Sequence, residues 1–354
     1  MAPIKSSLAR SVGRLLGVQK DTDLSLRGDV QSSREIIVPV VASGGNITAQ
    51  PGGNGYTYHV FTSPGNFTVT QGGKVEILLV GGGGPSGSTT ASTTVGNCGG
   101  GGAGGVVHAP AYTIGAGTHP VTIGDPTPQP LTPSPTRGVD STFVDAGGPT
   151  TITAQGGGMA SYYQTNSGNG HAGGSGGGGG YPGMPGGTGN QPTLNPGVGG
   201  LVQYGNPGGR MGAPEGSSSY DYGGGGGAGQ QGADGNGPAT PSPDSGAGGD
   251  GQPFPGFPSA LPAFSPLPSA WKTAVAPQGY FAGGGGGGTY DGLNPAGSMP
   301  GGLGGGGNGG TTPQNGIENT GGGAGGSLSN PGSTQPTGKK GGSGICIIRY
   351  VESS

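Results

Sequence analysis

Residues 341–351 read GGSGICIIRYV. A glycine-rich lead-in opens directly into Ile345, Cys346, Ile347, Ile348, Arg349, Tyr350 and Val351, a run dominated by β-branched and aromatic residues and therefore a strand. The strand is too apolar to lie exposed, and no other strand candidate stands near it in the sequence. It must return to pair with a sheet formed much earlier in the chain. Everything glycine-rich between that sheet and residue 344 then becomes a closed excursion from the sheet and not a tail.

The β-branched apolar residues support this division. Of 32 Ile plus Val, 20 lie between Ile36 and Ile152, four in the closing strand, four before residue 31, and only four in the 192 residues from Thr153 to Gly344. Strands are expected at 36–41, 56–62, 66–70, 74–80, 106–114, 119–123, 150–154 and 345–351. Ser63, Pro64 and Gly65 form a turn signal that predicts a hairpin between the second and third of these.

Composition narrows the class. Of 354 residues, 95 are Gly and 34 Pro, about 36% together against an average near 12%. Leu, Ile, Val and Phe make up 54 residues, about 15% of the chain, too few for a large continuous core. The formal net charge of -3 lacks the self-repulsion that keeps many disordered chains expanded, and the glycines do not keep the strict triplet period of collagen. No run approaches the ~18 apolar residues of a membrane-spanning helix, and no basic stripe indicates nucleic acid.

The glycines fall into twelve runs: 81–84, 99–105, 156–158, 173–180, 186–189, 197–200, 223–229, 246–251, 283–288, 301–310, 321–326 and 341–344. One such run would be a flexible linker. Twelve of them, separated by loops bearing Tyr, Trp and Phe, suggest order. An extended left-handed helix with three residues per turn makes no internal hydrogen bonds, so its N–H and C=O groups point outward in three directions. Without side chains, such helices can approach and bond to one another on every side. If passes alternate away from and toward the sheet, the twelfth arrives just before Ile345. Far-end loops are then expected at 85–98, 159–172, 190–196, 230–245, 289–300 and 327–340, and sheet-side loops at 181–185, 201–222, 252–282 and 311–320. The longest sheet-side loop carries Phe254, Phe257, Leu261, Phe264, Leu267, Trp271, Tyr280 and Phe281, as expected if it packs on the sheet. The expected fold is therefore mainly β and irregular: a small β domain (36–80, 106–155 and 345–354) plus a polyglycine II bundle with long loops (81–105 and 156–344).

The opening segment places Ile4, Leu8, Val12, Leu15 and Leu16 at helical spacing among Lys5, Arg10 and Arg14. It reads as a short amphipathic helix within a docking segment, residues 1–35, whose apolar face another protein buries. The same composition is that of an organelle transit peptide. Cys98 and Cys346 are too far apart in too long a chain to suggest a disulfide framework and are read as free thiols. The four histidines show no metal-ligand spacing with them. Strings of the form GxGxxG are chance matches at this glycine content, and none follows a strand, opens a helix and precedes a suitably spaced acid. No enzyme activity, cofactor or metal is expected.

The order YTYHVFTSPGNFTVTQGGKVEILLVGGGG, GGGGAGGVVHAPAYTIGAGTHPVTIG, YDYGGGGGAGQQG, YFAGGGGGG and GGSGICIIRY resembles the glycine-rich domain family of phage tail-fibre proteins. It is similar to the receptor-binding tip adhesins of T-even-type phages, over roughly residues 55–351. The resemblance implies a polyglycine II bundle topped by loops that contact a host-surface receptor, a glycan or outer-membrane protein. It further implies a virion location, on a tail fibre or other surface appendage, without nucleic acid as partner. The first residues depart from those adhesins and resemble attachment segments of marine phage structural proteins, which implies docking on another virion protein. Both a homotrimer and a single chain fit the resemblance. Among the expected far-end loops, SYYQTNSGNGH and TYDGLN combine Tyr with hydrogen-bonding side chains, as antibody paratopes do. Tyr162, Tyr163, Asn166, Tyr290 and Asp291 are the candidate contacts, with the outer side of loop 252–282 as an alternative surface. A capsid or neck decoration fibre without receptor recognition, or an ice-binding protein, would use the same kind of scaffold.

Overall fold

The computed structural model describes residues 39–87, 98–125, 137–148, 150–161, 169–180, 183–212, 220–235, 245–290, 299–327 and 338–352. The strands are β1 (Val41–Ser43), β2 (Ile47–Pro51), β3 (Tyr56–Phe61), β4 (Gly65–Gln71), β5 (Gly73–Val80), β6 (Val106–Ile114), β7 (Gly117–Thr122), β8 (Ser141–Val144) and β9 (Thr151–Ala154). Then follow β10 (Val202–Tyr204), the two-residue strands β11 (Tyr220–Asp221), β12 (Gln252–Pro253), β13 (Tyr280–Phe281) and β14 (Thr289–Tyr290), and finally β15 (Ile345–Val351). The one α-helix among the described residues, α1 (Ser269–Val275), lies in the aromatic loop. The expected N-terminal helix, with Ile4, Leu8, Val12, Leu15 and Leu16, falls outside the described residues.

The fold is mainly β. Two sheets, ordered β1-β4-β7-β8-β9 and β10-β6-β5-β15-β3-β2, carry the larger strands. The last strand inserts antiparallel between β3 and β5, with Ile347 opposite both Val60 and Leu78. The expected return of this strand is thus met. Its alternation explains why it must be there, because successive side chains leave a strand on opposite faces. Cys346, Ile348 and Tyr350 join Phe61, Phe67, Ile77, Leu79 and Phe143 between the two sheets. Ile345 and Ile347 join Tyr58, Leu78 and Val80 on the other face, beneath Phe257, Phe264, Trp271 and Phe281 of the aromatic loop. A strand buried on both faces cannot alternate polar and apolar, hence ICIIRYV.

The predicted hairpin across Ser63–Gly65 is not formed. β3 pairs with β2 and β15, whereas β4 pairs with β1 and β7, so the turn carries the chain from one sheet to the other. Asn46 holds this corner: its Oδ1 accepts from the Thr62 N–H at 2.7 Å and the Ser63 N–H at 3.1 Å. Strands β2, β8 and β10–β14 are additions to the expected set; each has two to five residues, too few to carry a distinct apolar pattern. The expected strand at 36–41 is corrected to β1: residues 39 and 40 are not in a strand, only Val41 is shared, and 36–38 lie outside the described residues.

Two buried polar devices sit on opposite faces of the larger sheet. Between the sheets, His59 is fully buried. Its Nδ1–H donates to Gly44 O at 2.8 Å, which leaves Nε2 to accept from the Tyr350 hydroxyl at 3.0 Å. Burial lowers its pKa below the ordinary histidine value, only partly opposed by the Gly44 bond. The unfolded chain therefore takes up this proton first. Stability is complete above about pH 6.5 and declines as pH falls below that value. Chemical denaturation should show this slope between pH 7 and 5, and His59→Phe should flatten it.

Under the aromatic loop, Arg349 donates from Nε to Glu76 Oε2 at 2.7 Å and from Nη1 to Tyr58 Oη at 3.1 Å and Gly256 O at 2.6 Å. Its guanidinium lies 4.2 Å from the Tyr56 ring centroid and 4.8 Å from that of Phe257, and Glu76 Oε1 meets His108 Nε2 at 2.8 Å. Burial alone would raise the Glu76 carboxyl, but hydrogen bonds and charge from His108 and Arg349 hold it below the ordinary value. Arg349→Met would leave that half-buried carboxylate with His108 as its remaining partner and is expected to cost about 2 kcal/mol. Adding Glu76→Gln should recover much of the loss in the same denaturation measurement.

The glycine-rich segments form an array that continues from one end of the sheets. Segment 98–105 shows its rule. Successive N–H groups of Gly100, Gly101 and Gly102 donate to Gly223, Ala324 and Gly158, and those of Ala103, Gly104 and Gly105 donate to Gly226, Gly321 and Gln155. The same three neighbours recur every third residue, the repeat of a threefold extended helix. Its carbonyls accept from three further segments: Gly100 O from Gly178, Gly101 O from Gly285, and Gly102 O from Gly84. One segment is thus bonded to six others. An alanine Cβ at Gly100 would fall inside the contact distance of Gly285 O, which is why a side chain is excluded there.

The run-by-run directions need correction. Within 173–180 the chain reverses. The His171 N–H reaches Met159 O, Gly174 reaches Gly156 O, and Gly178 reaches Gly100 O, so the chain comes in to residue 174 and leaves again. The run 301–310 reverses likewise: Gly304 and Gly305 have φ of +88° and +99°, and Gly306 and Gly309 donate back to Gly302 and Met299. Runs 186–189 and 223–229 come in toward the sheets, and 197–200 is a surface turn before β10 with open space beside Gly197, Gly199 and Gly200. Consequently the turn at 190–196 is sheet-side; of the expected sheet-side loops, the described part of 181–185, residues 183–185, lies at the far end, that of 201–222 runs from the sheet edge at 202–204 to the far end at 212, and 311–320 returns from far end to sheet. Glycine permits reversal as readily as extension, so run length does not report pass length.

The aromatic loop packs as expected. Phe257, Phe264 and Phe281 are fully buried and Trp271 is nearly so, its Nε1–H donating to Asn319 O at 2.8 Å. The loop therefore spends its aromatic surface on the sheet, and its outer side offers few of these rings to a partner.

Candidate functional site

The end of the array remote from the sheets collects the stems of six excursions, while residues 125 and 137, which flank a seventh, lie beside the sheets, where Gly344 donates to Gly124 O and Gly82 to Val139 O. Residues 87 and 98, 161 and 169, 212 and 220, 235 and 245, 290 and 299, and 327 and 338 flank segments outside the described residues, and the hydrogen bonds of these stems place them at this end. Gly99 donates to Ser161 O, Gly288 to Cys98 O, Tyr222 to Gly288 O, Gly212 to Asp221 O, and Gly310 to Gly326 O. Because segment 98–105 has six neighbours, the 88–97 excursion begins and ends at the centre of this surface, with the stems of the others around it.

Composition changes in this last layer. Glycine gives way to Ser86, Cys98, Ser161, Tyr222, Ser245 and Ser327, all buried. Ser86, Cys98 and Ser245 use their side chains on backbone groups of neighbouring stems. Ser245 Oγ donates to Gly288 O at 2.7 Å, Ser86 Oγ accepts from the Lys339 N–H at 2.7 Å, and Cys98 Sγ accepts from the Ser327 N–H at 3.4 Å and lies 3.3 Å from Gly87 O. Small hydroxyl and thiol groups thus end the array much as caps end an α-helix. Burial raises the Cys98 thiol, which its hydrogen bonds oppose only in part. Burial likewise raises Cys346, and both are free thiols as expected.

Of the candidate contacts, Tyr162, Tyr163, Asn166 and Asp291 lie outside the described residues. Tyr290 belongs to β14, which pairs with β11 in the register Tyr220↔Tyr290 and Asp221↔Thr289, a short ribbon at the far end. The stem residues Ser161 and Asn169, which flank the first cluster, belong to the same end. Sequence reasoning missed the central position of excursion 88–97 and the Ser/Cys layer. The signal for the layer was present, since these residues interrupt or border glycine runs. The centrality was not, since it depends on pairings between distant segments.

Among the described residues no group of His, Cys, Asp and Glu could hold a metal ion, and no helix is long and apolar enough to cross a membrane. A comparison with curated proteins finds no match. A family model described as a glycine-rich domain matches residues 61–351, from the last residue of β3 to the last of β15. Both ends of the match fall in adjacent strands of one sheet, so it encloses the array with its closure. The chain belongs to the glycine-rich domain family.

Proposed function

We propose that this protein is a virion fibre or adhesin that binds a host-cell surface receptor, a glycan or outer-membrane protein, through the far-end excursions, and docks on another virion protein through residues 1–35. The observation that carries this reading is the gathering of long excursions at one end of an array whose own segments are fixed by hydrogen bonds on every side. Loops on a rigid scaffold are where recognition is commonly built, and their stems are held without using the loop side chains. The chain's polarity fits two attachments. Val41, the first strand residue, and Val351, the last, lie at the end of the sheets away from the array, so the chain enters its first strand opposite the excursions. The phage-fibre resemblance supplies the host and the virion.

The test is binding of the full chain, and of a variant with residues 162–168 replaced by Gly-Ser, to a panel of bacterial cells. The reading expects saturable binding to some strains, with at least a tenfold loss in the variant at unchanged thermal stability. Uniform absence of binding, with residues 1–35 still attaching the chain to particles, would favour the decoration-fibre role.

A further inference from the structure

A cleft of about 280 Å³ lies on the flank of the array, between α1 and the segments around residues 315–318 and 340–341. It is remote from the far-end layer, and nothing above uses it. Pro268, Ala270 and Ile317 line it with apolar surface, over the buried ring of Trp271. Asn315, Glu318 and Lys340 supply its polar side chains. Among the described residues neither the Glu318 carboxylate nor the Lys340 ammonium has a hydrogen-bond or ion-pair partner, although both line the same cleft. Asn315 is fixed, its Oδ1 accepting from the Lys340 N–H at 3.0 Å, which leaves its amide N–H groups free to donate.

We infer that this cleft binds a neutral, polyhydroxylated ring, a pyranose sugar. The opposed charges cancel, so an anion would meet Glu318 and a cation would meet Lys340. Charged donor and acceptor together suit hydroxyls, each of which donates and accepts. The apolar strip suits the C–H face of such a ring. A nucleobase or other flat aromatic would need an open aromatic face, and Trp271 is only 1% exposed. The volume of about 280 Å³ lies just below the range of about 300–1,000 Å³ for small-ligand pockets, which fits one ring and not a chain of them. The inference stands whether or not the far end contacts a host receptor.

Trp271 is the chain's single tryptophan, so its emission reports on this cleft. The full chain is titrated with methyl glucopyranoside, methyl galactopyranoside and N-acetylglucosamine, with heat measured in parallel by calorimetry. At least one sugar should give a saturable signal in calorimetry, with or without a change in emission. Glu318→Gln and Lys340→Met should each weaken it about tenfold, the loss of one charge-assisted hydrogen bond. Both side chains are exposed, so neither change should alter the unfolding transition. The inference is overturned if no sugar gives saturable heat, if both variants bind as the parent does, or if phosphate or free lysine saturates the site in place of the sugars.

Discussion

Gly100→Ala is expected to cost more than about 3 kcal/mol, or to prevent folding, whereas Gly199→Ala should leave stability within about 0.5 kcal/mol of the parent or raise it. Chemical denaturation of both variants checks this. At Gly100 the new methyl would press on the Gly285 carbonyl, and that group belongs to the backbone, with no rotamer by which to withdraw. Moving segment 282–288 aside would also break bonds in its other contacts. Gly284 and Gly287 donate to Gly249 and Gly246, Gly283 and Gly286 to Gly304 and Gly307, and Gly285 and Gly288 to Gly101 and Cys98. The strain is therefore shared by several segments instead of relaxing at one. Gly199 has open space around its added Cβ, and the substitution there acts mainly by restricting the unfolded chain. Equal effects at the two positions would show that the glycines serve flexibility and not close approach.

Removal of residues 345–354 is expected to abolish cooperative unfolding altogether. The deletion separates β3 from β5, which have no direct pairing with each other, and uncovers both cores at once. Ile347 and Ile345 are lost from beneath the aromatic loop, and Ile348 and Tyr350 from between the sheets. Losses of this kind run to several kcal/mol per large side chain, against a total stability of about 5–15 kcal/mol. Near-ultraviolet circular dichroism and the emission of Trp271 should report a chain without fixed tertiary packing. A truncated chain that still melts sharply would show that the array holds itself together.

How far the fold was legible depends on which atoms carry the information. Strand β15 could be read because Ile345, Cys346, Ile347, Ile348 and Tyr350 put apolar side chains on both of its faces. The aromatic loop could be read because Phe257, Phe264 and Trp271 need a surface to cover. The corner at Ser63–Gly65 could not, since Pro and Gly signal a turn without saying whether the strands beside it pair with each other. Inside the array the bonding is between backbones, and Gly174 at a reversal is the same residue as Gly178 in a straight segment. The perimeter is more informative. Pro207 and Arg210 are exposed three residues apart, as are Pro185 and Thr188, and Pro300 and Leu303, so a side chain at every third position marks a segment with one face in water. At the far end, Ser161 and β14 border the candidate contacts, but which excursion is central was decided by partners too distant in sequence to read.

The position of β15 has a consequence for how the protein is made. Within the unit formed by residues 38–354, the strand that completes the middle of the larger sheet leaves the ribosome after all the segments it must join. Until then β3 and β5 have open inner edges, and the two apolar layers have no common wall. Unpaired edges of this kind invite association with other chains, and the low apolar content of the glycine-rich middle limits what such an open chain can collapse upon. Folding of this unit is thus deferred until β15 has been made, when one late strand commits both apolar layers together.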